Sequence, residues 1–317
     1  MSAPASGPQK SVPQNPVPQN PALKNQVPDA ASGTPAGDVG QVPSRPRRPV
    51  PITLWVGGFI TALVVLAAVV SLFWTPYDPV AADASQRLLG SSGSHWLGTD
   101  KFGRDVASQL MAGARVTLVV GAVSVGIALL IGTPLGIIAG LRRGWAEELV
   151  LRFSDLLLAF PALLLAIIFA AVFGAGTVSA MVAIGIGSIP GFARVARSAT
   201  LRIGSEDFIS AARSSGRGGW AIGVMHVLPN LAGLLLVQST VTFSLAVLAE
   251  AALSYLGLGT PPPDPSWGRM LQESQQFLEL QPMLTVWPGV AIALTVLGLN
   301  LLGDGLRDRL SSGRDGR

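Results

Sequence analysis

The chain of 317 residues is 49% hydrophobic but only 13% charged, about half the charged fraction of an ordinary soluble domain, which puts it in the membrane class. The absence of cysteine excludes disulfides, thiol catalysis and cysteine metal sites, and His95 and His226 lie too far apart in sequence to argue for a metal. The net charge of +4 is modest, and its placement is more informative than its size.

In chain order, residues 1–50 come first. They are rich in Pro, Gln, Asn, Ser and Ala and contain the tandem repeat VPQNPVPQNP. Such a stretch has too little apolar surface to offset its ordering entropy and reads as a disordered, solvated tail. It does not have the basic and apolar order of a secretory signal. Six apolar runs follow, at 51–74, 116–140, 156–173, 177–193, 231–256 and 280–303. A membrane-crossing helix needs about 20 apolar residues. Continuous runs predict helices, because a barrel would alternate polarity over roughly ten residues. Pro161 predicts a kink in the third run, and the glycines and alanines of the second and fourth suit close helix packing.

Lys and Arg orient the bundle. With the N-terminus cytoplasmic, the inside segments are the tail, 141–155, 194–230 and 304–317. They hold 17 of the 22 Lys and Arg, and the outside loops hold Arg87, Lys101, Arg104, Arg115 and Arg269. Both termini are therefore expected in the cytoplasm.

The external loops offer three features. GRDVASQLMAG at 103–113 reads as an amphipathic helix with Val106, Leu110 and Met111 inward, either a gate or docking element or a passive interfacial helix. In 264–278, Trp267 and Phe277 are placed to anchor at the membrane interface. Ser94 and His95 are adjacent but have no companion acid at a telling spacing, and neither GxSxG nor HExxH occurs, so hydrolysis has little support.

The stretch DFISAARSSGRGGWAIGVMHVLPN at 207–230 is a polar insert between the fourth and fifth runs. Ser205 is placed to cap a short helix, FISAARS, with Glu206 and Asp207 beside its positive end. GRGG stops that helix, and WAIGVMHVL resumes as a second one ending at Pro229. Ala211 and Ala212 are small enough for another protein to approach, and Gly216 permits a sharp turn where a side chain would clash.

This insert resembles the coupling loop of importer-type ABC permeases. That pattern is Glu-Ala-Ala, three residues, Gly, nine residues, an aliphatic, one residue, Leu-Pro. Ser210-Ala211-Ala212, Gly216, His226, Leu228 and Pro229 stand at the matching positions, with Ser210 in place of Glu and His226 in place of the aliphatic. LGTDKFGRDVASQLMAGARVTL at 97–118, LAEAALSYLGLGTPPPDPSWGRML at 248–271 and HVLPN are similar to the C-type subunit of dipeptide/oligopeptide (peptide/nickel) transporters. The similarity runs from about residue 50 to 312.

The resemblance implies an all-α polytopic membrane protein of six transmembrane helices with the ABC type I importer permease fold. The division is a tail at 1–50, a first span with external loop and amphipathic helix at 51–114, a permease core of five spans at 115–312 with coupling loop 200–230, and a flexible tail at 313–317. Implied partners are a second homologous permease subunit, two ATP-binding subunits, an extracytoplasmic substrate-binding protein, membrane lipid and a short peptide, with no nucleic acid. The chain itself would hold no cofactor, ATP and Mg²⁺ belonging to the ATPases. Consistent with that, its lysines, Lys10, Lys24 and Lys101, sit in no GxxxxGK[ST] loop. Asp207, Ser210, Ala211, Ala212, Gly216, Leu228 and Pro229 are the implied ATPase-coupling residues, and the implied location is the cytoplasmic (inner) membrane.

Glu250 is the one acid within an apolar run, and a carboxylate at membrane depth is a functional candidate. At 100° per residue, Ser239, Ala246 and Glu250 fall within about 40° of one another, with Thr242 about 60° to one side. Two readings stand: a polar stripe on the translocation pathway, where it would meet a peptide's amino terminus, or a structural hydrogen bond near the outer end of the span. The rival to the ABC reading is an ion-coupled secondary transporter using Glu250, which usually shows internal repeats that are not evident here.

Overall fold

The structure, a computed structural model, describes residues 52–312. The tails expected at 1–50 and 313–317 lie outside the described residues. Among the described residues there is no strand, only an isolated bridge between Thr99 and Asp105.

Five helices are long and apolar enough to cross a membrane. They are α1 (Ile52–Val70), α2 (Val106–Leu141), α5 (Thr177–Ile203), α8 (Leu228–Tyr255, continuous with the short α7, Gly219–Ile222, before it) and α10 (Met283–Ser312). The third predicted span is a broken pair, α3 (Trp145–Ala159) and α4 (Ala162–Phe173), bent by 82°. Pro161 disfavours the helical region for the residue before it, and Phe160 is extended at φ −93°, ψ 124°. Twelve residues of α4 reach only about 18 Å against a hydrocarbon core of about 30 Å. This span therefore needs α3, and the break is sharper than a kink.

The centre of the fold is the α2–α5 pair. Gly132, Gly136 and Gly140 recur every fourth residue on one face of α2, and α5 lies directly against them. A Cβ on Gly132 would stand 2.6 Å from the Ile189 carbonyl oxygen, and one on Gly140 2.6 Å from Thr200 Cβ. The backbones meet because the side chains are missing, which is how helices associate where lipid is as apolar as leucine. α8 packs on α2, α5 and α10, and α1 packs on α10.

Two sequence expectations need correction at the external-loop end. The helix expected at 103–113 is not a separate interfacial element. Asp105 caps it by accepting from the Ser108 N–H at 2.8 Å, and from Val106 it runs unbroken into the second span. Its residues are buried on more than one face, Val106 together with Arg104, Asp105, Ser108 and Gln109, while Leu110 and Met111 are half-buried. Trp267 is not an interface anchor either. It starts α9 (Trp267–Ser274), is 3% exposed, and its Nε1 donates to the Leu110 carbonyl at 2.9 Å. Phe277 is half-buried against the same core. α9 is fastened to the α2 entrance by an ion-pair chain: Arg104 reaches Asp100 at 2.6 Å and Glu273 at 2.5 Å, and Glu273 takes Arg269 at 2.7 Å.

Candidate functional site

The polar insert forms a compact knob at the far end of α5. Helix α6 (Asp207–Ser214) is followed by a turn and then α7 (Gly219–Ile222). The cap expected at Ser205 is absent, because its hydroxyl donates to the Arg202 carbonyl at 2.7 Å. The capping position is Glu206, extended at φ −75°, ψ 146°, with no side-chain bond. Asp207 in the first turn and Arg213 in the last match the helix dipole.

The stop falls where glycine was expected. Gly216 has φ +79°, its N–H bonds the Arg213 carbonyl at 2.9 Å, and the Arg217 N–H bonds the Ala212 carbonyl at 3.2 Å. This is a Schellman closure, which requires a left-handed residue. The reason differs from the clash anticipated, since nothing lies within 4 Å of a Cβ built there. Glycine is needed for its backbone, not for space.

α7 does not form a helix ending at Pro229. A π-helical turn at Gly223–Val227 joins it to α8, and the Leu228 N–H reaches the Gly223 carbonyl. Pro229 then occupies the first turn of α8, where a missing N–H is tolerated. The insert is thus a direct lever on the fifth span.

α6 is held by a residue the sequence reading passed over. Ile209 is fully buried, in a cluster with Ala128 of α2, Phe192, Ala196, Ala199 and Ile203 of α5, Ile222, Val227, and Leu231 and Leu235 of α8. The signal was only partial: the eight-residue helix has two adjacent large apolar residues, Phe208 and Ile209, and only Ile209 faces the core. Asp207, Ser210 and Ala211 are exposed on the outer side, whereas Ala212 is half-buried and packs against the cluster. The two alanines therefore do not form one free face. His226, at the aliphatic position of the pattern, lies with Nε2 3.3 Å from Arg217 Nη1 and edge-on to Phe208 with ring centroids 6.3 Å apart. A cavity of about 350 Å³ opens beside Arg202, Glu206, Phe208 and Asn230. Leu228 and Pro229 are exposed at the root of α8.

The second group, on α8, is placed differently. Glu250 is 1% exposed, with Oε1 accepting from the Ser254 hydroxyl at 2.7 Å and Oε2 buried without a hydrogen bond among the described residues. Ser254 Oγ in turn accepts the Thr260 N–H at 3.0 Å. Ser254 thus links the end of α8 to the 255–266 loop, and Glu250 lies behind it on the same helix. Ser239 is half-buried with its hydroxyl on the Leu235 carbonyl, and Thr242 is buried, taking the Gln238 amide at 3.3 Å. The chain's own atoms cover the three residues to different degrees, and they form no continuous open stripe.

The external loop does supply the acid that spacing did not suggest. His95 Nδ1 lies 2.9 Å from Asp105 Oδ1, and its Nε2 lies 2.6 Å from Gln86 Oε1. Both side chains are buried, but Ser94 points elsewhere, to the Ser92 hydroxyl at 3.1 Å. The Ser108 hydroxyl donates to Asp105 Oδ2 at 2.7 Å, and both ring nitrogens of His95 are taken by Asp105 and Gln86. The His95–Asp105 pair ties the loop to the cap of α2.

Comparison with known proteins agrees with this geometry. Residues 132–315 match the family described as binding-protein-dependent transport system inner membrane component. The dipeptide transport system permease protein DppC of Alkalihalophilus pseudofirmus is 42% identical over 255 residues, covering 80% of this chain and 84% of that protein. The glutathione transport system permease protein GsiD of Pectobacterium atrosepticum is 42% identical over 253 residues, covering 78% and 84%. The di/tripeptide transport system permease protein DppC of Pseudomonas aeruginosa is 39% identical over 261 residues, covering 80% and 86%. Among solved structures, a chain of the inward-facing MetNI methionine ABC transporter superposes with a TM-score of 0.52 at 21% identity, covering 62% of this chain and 93% of that one, a likeness of fold. The ion-coupled carrier reading finds no support among these relatives or in the enclosed Glu250. Helices, knob and relatives agree: the chain is a multi-pass membrane protein of the ABC type I importer permease fold and belongs to the family of binding-protein-dependent transport system inner membrane components.

Proposed function

We propose that this permease subunit forms half of the translocation pathway of an ATP-driven importer for short peptides, and that α6 is where force enters it. The observation carrying this reading is the seat of Ile209 in a cluster shared by α2, α5 and α8. A push on the exposed side of α6, at Asp207, Ser210 and Ala211, loads the cluster and moves the fourth and fifth spans together. Cores are close-packed and transmit displacement instead of absorbing it.

A second, homologous permease completes the pathway. Two separate ATPase subunits hold ATP and Mg²⁺, and a binding protein delivers the peptide at the α9 end. The α6 end faces the cytoplasm of a cell whose inner membrane the chain spans, in accord with the distribution of Lys and Arg. The subunit is a mechanical part without catalysis of its own. Gly216, Leu228 and Pro229 keep the lever rigid: the first closes α6, and the others root it in α8. Peptide as cargo is supported by the dipeptide and di/tripeptide permeases among the relatives. Glu250 acts structurally, behind Ser254, supported by its enclosure.

Vesicle uptake with the reconstituted assembly tests the reading. Uptake of labelled dipeptide that requires ATP and ignores a proton uncoupler supports it. Uptake that collapses with the uncoupler and proceeds without ATP refutes it.

A further inference from the structure

A cavity of about 280 Å³ lies between the last two turns of α2 and the α7–α8 junction, apart from the outer face of α6. Ile137, Ile138 and Leu141 form one wall and Val224 and Leu228 the other. The cavity is open on one side, and Trp220, 75% exposed, stands on its rim. An exposed tryptophan beside an apolar opening at a membrane-spanning helix end suits the boundary between hydrocarbon and headgroups.

Two polar features are left over. Arg142 lines the mouth with Arg143 next to it, both exposed. Neither guanidinium has an ion pair or hydrogen bond among the described residues. By contrast, Arg152 is paired with Glu148, Arg194 with Asp155 and Arg197 with Glu147. At the other end of the cavity, Thr133 is 4% exposed and its Oγ1 has no partner among the described residues. Some buried hydroxyls of the bundle fold back on their own helix, as those of Ser154, Thr200 and Thr295 do. Thr53, Thr61 and Thr117 share with Thr133 a buried hydroxyl that has no partner among the described residues, but of these four only Thr133 lines the cavity, so the described residues leave this lining unfinished.

We infer that this groove binds an anionic phospholipid of the leaflet at the α6 end. One acyl chain lies along the apolar walls, and the phosphate meets Arg142 and Arg143. Thr133 lies nine residues before Arg142, about 13 Å deeper along the axis, so the phosphate stays with the arginines at the mouth and the hydroxyl meets the lipid below its headgroup. Charge complementarity selects this occupant: a neutral lipid or an apolar protein segment would fill the walls but leave both arginines unmatched. The site does not depend on the proposed transport role, since its elements are fixed in the fold whatever drives them.

The test is photolabelling of the full chain in phosphatidylcholine vesicles doped with phosphatidylglycerol carrying a photoreactive acyl chain. The expected result is label on 133–141 or 220–228, and a fall of about thirtyfold when Arg142→Gln and Arg143→Gln are combined, at about 1 kcal/mol per basic residue and 1.4 kcal/mol per tenfold. Val224→Trp, at a half-open position, fills the groove without touching the arginines and is expected to abolish the same label. The inference is overturned if photoreactive phosphatidylcholine labels these peptides equally. It is overturned equally if neither substitution lowers the label. Label present on the isolated chain but absent from the assembled complex also overturns it, because a protein partner then covers the groove.

Discussion

Replacing Ile209 by alanine isolates the link between α6 and the spans. The side chain is fully buried in a cluster drawn from α2, α5 and α8, and such truncations cost about 2–5 kcal/mol. At 1.4 kcal/mol per tenfold, the balance between docked and undocked α6 moves by about thirtyfold to a few thousandfold. An isolated helix of eight residues has no stability of its own to compensate. α6 therefore loosens while its exposed residues, and any contact they make, are unchanged in chemistry. In the reconstituted assembly, Ile209→Ala is expected to speed deuterium exchange in 207–214 and to lower peptide uptake per ATP hydrolysed. Ile209→Val, at about 0.5–1.5 kcal/mol, falls between. The exposed neighbour change Ser210→Ala leaves exchange near the parent's. If exchange accelerates and uptake per ATP stays constant, α6 does not carry the force. If exchange does not accelerate, Ile209 is not its anchor.

Three further outcomes follow from local geometry. Gly216→Ala places a Cβ at φ +79°, costing about 1–2 kcal/mol, whereas Gly216→Asn is accepted better at positive φ; exchange in α6 should separate the two, and equal loss would show that the closure is not conformational. Asp83 accepts the Ser85 hydroxyl at 2.6 Å, the Ser85 N–H and the Gln86 amide, and these bonds, the Ser85 hydroxyl first, hold its carboxyl below the usual carboxylate range. Its support of the 83–87 turn is complete above the unfolded carboxylate's pKa, about 3.9, and is lost as pH falls through the lower folded value. Protease resistance of that turn should decline on acidification, less so in Asp83→Asn, and a rise with acid would contradict the assignment. Glu250→Gln keeps an oxygen for the Ser254 hydroxyl and gives the Oε2 position a donor, so ATP-driven uptake should persist; its abolition in a fully assembled complex would return Glu250 to the pathway.

The spans were legible because lipid leaves the backbone few options, so length and apolarity nearly determine the outcome. Helix ends were not, because single bonds decide them. Ser205 turns back to Arg202 and moves the α6 cap to Glu206, while a π-turn carries α7 through Pro229 into α8. The buried start of α2 was misread because its polar residues look solvated in sequence, and long-range partners made them interior: Glu273 for Arg104, His95 for Asp105. The knob's outline was legible from glycine spacing, but its anchor was not, because Phe208 and Ile209 are adjacent and both apolar, and only packing against α5 and α8 turns Ile209 inward. The Glu250 stripe was a correct helical projection, but angular position alone does not reveal that the 255–266 loop closes over one end of it.

The central claim is that another subunit grips α6 from outside. The chain contains no cysteine, so Ser210→Cys introduces a single reactive thiol on the exposed side of α6. With a short thiol-to-amine cross-linker on the assembly purified from native membranes, the account predicts a covalent adduct to an ATP-binding subunit whose yield changes when ATP is added. An intact, transporting assembly in which this thiol reaches no ATP-binding subunit would contradict it.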